Sequence, residues 1–121
     1  MAGGTIPMGA RVKEDVLWTN SSPGGSFSAQ TLQIDWSGYD HILIKMRVAT
    51  NIALCTVFRL FTSDADVVYG MNMHNFSTDT VYVYSRTAKL TSEGIQFSAG
   101  HRNTSAGAGY AIPLEIRGVR L

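Results

Sequence analysis

The sequence predicts an all-β protein, an antiparallel β-sandwich or jelly-roll-like fold of about eight strands. Three observations predict it. Apolar and polar residues alternate, as in Leu32-Gln33-Ile34-Asp35-Trp36, the pattern of a strand with one buried face. Turn-forming residues recur at close spacing, at Asn20 to Gly25, Ser37 to Asp40, Ser63 to Asp66 and Ser92 to Gly94. No window carries the period of an amphipathic helix.

Residues 1–10 are glycine-rich and aperiodic, and are expected to form a flexible arm or attachment segment. Residues 11–121 then make one sandwich domain, with no linker, repeat or low-complexity tract. Val16 to Trp18 is a short strand, and Gln30 to Trp36 a second with Leu32, Ile34 and Trp36 facing in. His41 to Thr50 is the third. It sets Ile42, Ile44, Met46 and Val48 on one face, and Leu43, Lys45 and Arg47 on the other. Ile52 to Thr62 is apolar on both faces, with Leu54, Phe58 and Leu60 against Cys55, Val57 and Phe61. That pattern predicts a central strand, covered by the opposing sheet and by a neighbouring subunit or loop.

Val67 to Tyr69 continues the chain after a turn, and Gly70 to Asp79 reads as its least regular stretch. Thr80 to Lys89 is a strand with Val81 and Val83 opposite Tyr82, Tyr84 and Arg86. A bend through Ser92-Glu93-Gly94 leads into Ile95-Gln96-Phe97, and Ala99 to Gly109 is a loop. Tyr110 to Leu121 closes the domain, with Gly118 expected to host a bulge. Pro113 cannot donate to a ladder, so this strand is expected at an edge, or with its proline at an unpaired position. Trp36 is expected in the core, and Trp18 beneath the Ser37–Asp40 turn.

Composition narrows the partners. Charged residues are 16% of the chain, against about 25% in an average domain. A surface of hydroxyls, amides and glycine suits a β-protein inside an assembly or one facing carbohydrate. The formal charge is +1 and the basic residues are scattered, so no nucleic-acid stripe and no polybasic membrane patch is expected. No apolar run approaches the length of a spanning helix, and the N-terminus lacks the charged and apolar regions of a secretory signal. Cys55 is the single cysteine, so no internal disulfide is expected.

Catalytic chemistry finds no pattern to stand on. His41, His74 and His101 lie in separate segments, without the local pairing of a zinc site. Asp64 and Asp66 bracket Ala65 but lack the glycine and distal glutamate of a calcium loop. Cys55 reads as a buried small hydrophobe. No catalytic residue, metal or cofactor is therefore expected, and the chain reads as a non-enzyme. What remains is a set of aromatic, amide and basic residues of the kind that stack on sugar rings and bond to hydroxyls. The candidate ligand-binding residues are Asn72, His74, Tyr82, Tyr84, Arg86, His101, Arg102 and Tyr110, with Tyr69, Asn75 and Asn103 of the same type. Tyrosines on a strand face also pair simply across a sheet.

The segments Leu17-Trp18-Thr19-Asn20 with Pro23, Ala29-Gln30-Thr31, and Ser37-Gly38-Tyr39-Asp40 together resemble the opening of the β-sandwich module found near the C-termini of tailed-phage tail and fibre proteins. Arg86 with Gly94-Ile95-Gln96-Phe97, and Pro113 through Ile116 to Gly118, are similar to that family's later elements. The resemblance implies a virion structural protein, made in the host bacterial cytoplasm and assembled into the particle. It would be of tail-fibre, receptor-binding type and contact host-surface polysaccharide. It also implies a homo-oligomer, a trimer first, and contacts with other virion proteins. The alternative is a capsid decoration or head-fibre protein with a purely structural role.

Overall fold

The computed structural model describes residues 13–121, and the arm expected at residues 1–10 lies outside them. Two antiparallel sheets face each other. The first is built from β1 (Lys13–Thr19), β3 (His41–Ala49), β4 (Ile52–Phe61) and β10 (Tyr110–Arg120), in the order β1-β10-β3-β4. The second holds β2 (Gln30–Leu32), β5 (Tyr69–Ser77), β6 (Thr80–Thr91), β7 (Gly94–Phe97), β8 (His101–Arg102) and β9 (Ser105–Ala106). Strand β6 organises this sheet, with β5 along one edge and β7 and β8 along the other. The chain is a β-sandwich with ten strands among the described residues.

The period-two pattern decides which side chains meet. Ile42, Ile44 and Met46 of β3, Leu60 of β4, and Ile112 and Ile116 of β10 point inward from the first sheet. Met71 and Met73 of β5, Ala88 and Leu90 of β6, and Ile95 and Phe97 of β7 meet them from the second. Burying such side chains contributes about 1.5–3 kcal/mol each relative to exposure. This interior holds the sheets together.

Several expectations are corrected. Strand β4 is an edge strand, not a central one, and Leu54 (61% exposed), Val57 (56%) and Phe61 (45%) stand open. Two-sided apolarity marks cover on both sides only if a neighbour supplies the second cover, and among the described residues β4 pairs with β3 alone. Cys55 shares this exposure and is not buried. The stretch Gly70 to Asp79, expected to be irregular, is mostly β5, paired with β6 from Tyr69 opposite Ala88 to Ser77 opposite Thr80. Its inward methionines keep period two, while Asn72, His74 and Asn75 between and beside them disguise it as a loop.

Strand β10 lies between β1 and β3, so Pro113 is not on an edge strand. The proline is tolerated because β1 pairs only with Glu115 to Arg120, and the ladder to β3 is irregular between Pro113 and Glu115. Gly118 sits in regular register, opposite Asp15 and Ile42, and no bulge occurs there. A Cβ at that position would meet the Tyr39 ring at 2.5 Å, so glycine makes room for an aromatic lid. The second expected strand stops at Leu32, although Ile34 and Trp36 still pack against the core. Trp18 packs edge-on against Phe27, with ring centroids 6.0 Å apart, and Tyr39 instead is the residue the Ser37–Asp40 turn lays over β10.

Candidate functional site

Register divides the sequence-derived candidates between two faces of the second sheet. Tyr82, Tyr84 and Arg86 alternate on the inward face of β6, and Arg102 lies opposite Tyr84 on β8. Asn72 lies opposite Ser85, which in turn pairs with His101, and His74 lies opposite Val83. Asn72, His74 and His101 therefore share the outward face, across the sheet from the tyrosines. The candidates do not form one site.

The inward group splits again by depth. Arg86 is 1% exposed. Its Nε donates to the Ala111 carbonyl at 2.7 Å and its Nη1 to Ser98 at 2.6 Å. Its Nη2 donates to Phe27 at 2.8 Å and to Tyr110 at 2.9 Å. In a regular strand successive carbonyls point to opposite edges, so Tyr110 and Ala111 would not both reach one guanidinium. Ala111 has φ +50°, uncommon for a residue with a Cβ, and this breaks the alternation. The Phe27 ring lies 5.2 Å from the guanidinium carbon. Burial pushes the Arg86 pKa down to about 10, which still leaves it charged at neutral pH. Its donors are engaged with the backbone of three segments, so it works as an internal strut. Tyr84, 5% exposed, is core as well.

Less buried than these stand Tyr82, Arg102 and Tyr110. The Arg102 guanidinium carbon lies 5.4 Å from the Tyr82 ring centroid and 5.4 Å from that of Tyr110. Arg102 is exposed and both rings are half-buried. Tyr84 supports Tyr110 edge-on at 5.8 Å. The β8–β9 hairpin presents Arg102 because its tip is tied to β6. Asn103 donates its backbone N–H to the Val83 carbonyl at 2.7 Å, and its Oδ1 accepts the Val83 N–H at 2.9 Å. Asn75 lies opposite Tyr82 on β5. Together these residues form a rim with two aromatic faces, one cation and an amide. Such a rim can stack on a ring and bond to hydroxyls.

Sequence reasoning passed over Phe76, which is 74% exposed, lies opposite Val81 and shares the outward face with Asn72 and His74, across the sheet from the rim. A lone phenylalanine in an amide-rich stretch was the available signal. Tyr69 is spoken for elsewhere, its hydroxyl donating to Asp64 at 2.7 Å, which raises the phenol's pKa. Among the described residues no group of histidine, cysteine and carboxylates is arranged to hold a metal ion. No helix of the described residues is long and apolar enough to cross a membrane. Comparison with protein families, curated proteins and solved structures finds no match.

Proposed function

We propose that this chain is a phage virion structural protein of tail-fibre type, whose sandwich presents the Tyr82–Arg102–Tyr110 rim to host-surface glycan. One observation carries the reading: an exposed guanidinium held between two half-buried tyrosine rings. A cation that no carboxylate among the described residues pairs with, flanked by aromatic faces, is built for contact with an outside group. The sequence resemblance to tail and fibre modules supports the same setting. The protein acts as a homo-oligomer, a trimer by that resemblance, joined through β4. The support for this is Leu54, Val57 and Phe61 on an unpaired edge, since bare apolar edges otherwise invite aggregation. Weak single sites then suffice, because repetition on a particle multiplies avidity.

The test is host-cell adsorption and glycan-array binding by the purified oligomer, beside Tyr82→Ala, Arg102→Ala and His101→Ala. Loss with the first two and retention with the third supports the rim. Because His101 lies on the outward face, loss with His101→Ala alone would move the site there. A second reading, a decoration protein that contacts only other virion proteins, is favoured by the same exposed β4. Absence of host binding together with incorporation into particles would establish it.

A further inference from the structure

A second cleft, of about 430 Å³, opens at the far end of β6, away from the rim. Gln33, Asp35, Trp36 and Ser37 form one side, and Ser92 and Glu93 of the β6–β7 turn form the other. We propose that this cleft binds a sugar ring that carries no negative charge, either neutral or amino-bearing. The inference rests on the glycan reading above and adds a separate site with its own selectivity.

The volume falls within the roughly 300–1,000 Å³ of small-molecule sites. Trp36 supplies a fixed wall. Its indole N–H donates to the Thr91 carbonyl at 2.9 Å and to that of Gly94 at 3.2 Å, pinning the ring against the turn. A pre-set aromatic face spares the ordering cost that a mobile one would incur on binding. Asp35 supplies the acceptor. Its Oδ1 receives the Ser37 hydroxyl at 2.6 Å and the Ser37 backbone N–H at 3.1 Å. Those two bonds hold the carboxyl below its usual range, and leave Oδ2 for donors from outside.

Glu93 adds a second carboxylate, Gln33 an amide, and Ser37 and Ser92 hydroxyls, and among the described residues no lysine or arginine lines the cleft. Charge-assisted bonds from sugar hydroxyls or an ammonium to carboxylates are the strong kind. A uronate or sialic acid would instead place like charges together without a countercharge. The site thus discriminates by charge, whereas the rim, with its Arg102, does not reject an anion.

The test follows backbone amide and tryptophan indole NMR resonances of the whole chain, titrated separately with N-acetylglucosamine, glucosamine and galacturonate. Trp18→Phe assigns the two indole signals. The expected result is movement of the Trp36 indole and of residues 33–37 and 91–93 with either of the first two sugars and not with galacturonate. Glu93→Gln, an exposed change that leaves the fold intact, should weaken that binding about tenfold. Galacturonate binding equal to the others overturns the proposal, and so does a silent Trp36 with all three sugars. Shifts confined to Tyr82, Arg102 and Tyr110 overturn the cleft while leaving the glycan-contact reading standing. If host adsorption is also absent, both fall.

Discussion

Arg86 and Arg102 occupy the same face of the same sheet, and their fates are opposite. Arg86 sits where three chain segments converge, with carbonyls of Phe27, Ser98, Tyr110 and Ala111 around it. Arg102 sits one strand over, exposed, with tyrosine rings and solvent around it. The residue type is identical, and the surroundings assign the role. A guanidinium becomes a strut where the backbone converges several carbonyls on it, and stays exposed where only ring faces are on offer.

The largest expected effect tests the strut. Arg86→Met fills the space but leaves the four carbonyls that Arg86 satisfies without their donor. Loss of stability should be on the order of 3–5 kcal/mol, enough to leave the chain partly unfolded. Arg86→Lys should recover little, because a point-charge ammonium cannot reproduce the planar fork. Urea denaturation monitored by tryptophan fluorescence measures both. A loss below about 1 kcal/mol for Arg86→Met would break the comparison, since Arg86 would then be no more structural than Arg102.

The same cage can be squeezed without touching its cation. A Cβ on Gly100 would lie 2.0 Å from the Tyr110 carbonyl oxygen and 2.8 Å from Arg86 Nη2. Backbone cannot yield as a flexible side chain does, so Gly100→Ala should cost about 1–3 kcal/mol. It should act through Arg86. In a double-mutant cycle with Arg86→Met the two losses should therefore fall well short of additive. Additive losses would mean that Gly100 serves the hairpin and not the cage.

Arg102→Ala should be mild by the same measure. An exposed cation–aromatic contact contributes about 0.5–1 kcal/mol, so the denaturation midpoint should barely move while host adsorption falls. A large stability loss would make Arg102 a second strut and remove the support for the rim.

These outcomes also mark what could be read from residues alone. Alternation identified the sandwich and the inward residues of β3, because period two follows directly from the pleat. It also placed Tyr82, Tyr84 and Arg86 on one face. It carried no sign of which face was inward, since aromatic and basic residues fit either. Depth along β6 was equally hidden, because it depends on the Ala111 backbone reversal and on which of its residues other segments cover. The edge position of β4 was misread for a related reason: apolar residues look alike whether a fold or a partner covers them. The resemblance-bearing residues turn out to be structural in this chain. Asn20 bridges to β10 through the Pro113 and Leu114 carbonyls, and Tyr39 donates its hydroxyl to Asp15. Asp40 accepts the Leu121 N–H. Motifs of this kind speak to architecture first.

Arg117 extends the comparison to a third setting and gives the smallest expected effect. It lies on the outer face of the first sheet, its Nε donating to Glu115 at 2.6 Å and its Nη1 to Glu14 at 3.2 Å. Here carboxylates, not carbonyls or rings, surround the guanidinium. The Arg117 hydrogen bond, with a smaller contribution from the Lys45 charge, holds the Glu115 carboxyl below its ordinary value of 4.5. A carboxyl whose pKa is lower folded than unfolded stabilises the fold above the unfolded value. That contribution is lost as pH falls through the folded one. Thermal melts taken from about pH 5 downward should thus show a small acid-side decline, and Glu115→Gln should flatten it. Because the pair is only partly buried and still reached by solvent, added salt should flatten it as well. Salt should leave the stability difference between Arg86→Met and the parent chain nearly untouched, since buried interactions are screened far less. Equal salt sensitivity in both measurements would mean that burial does not separate these arginines after all.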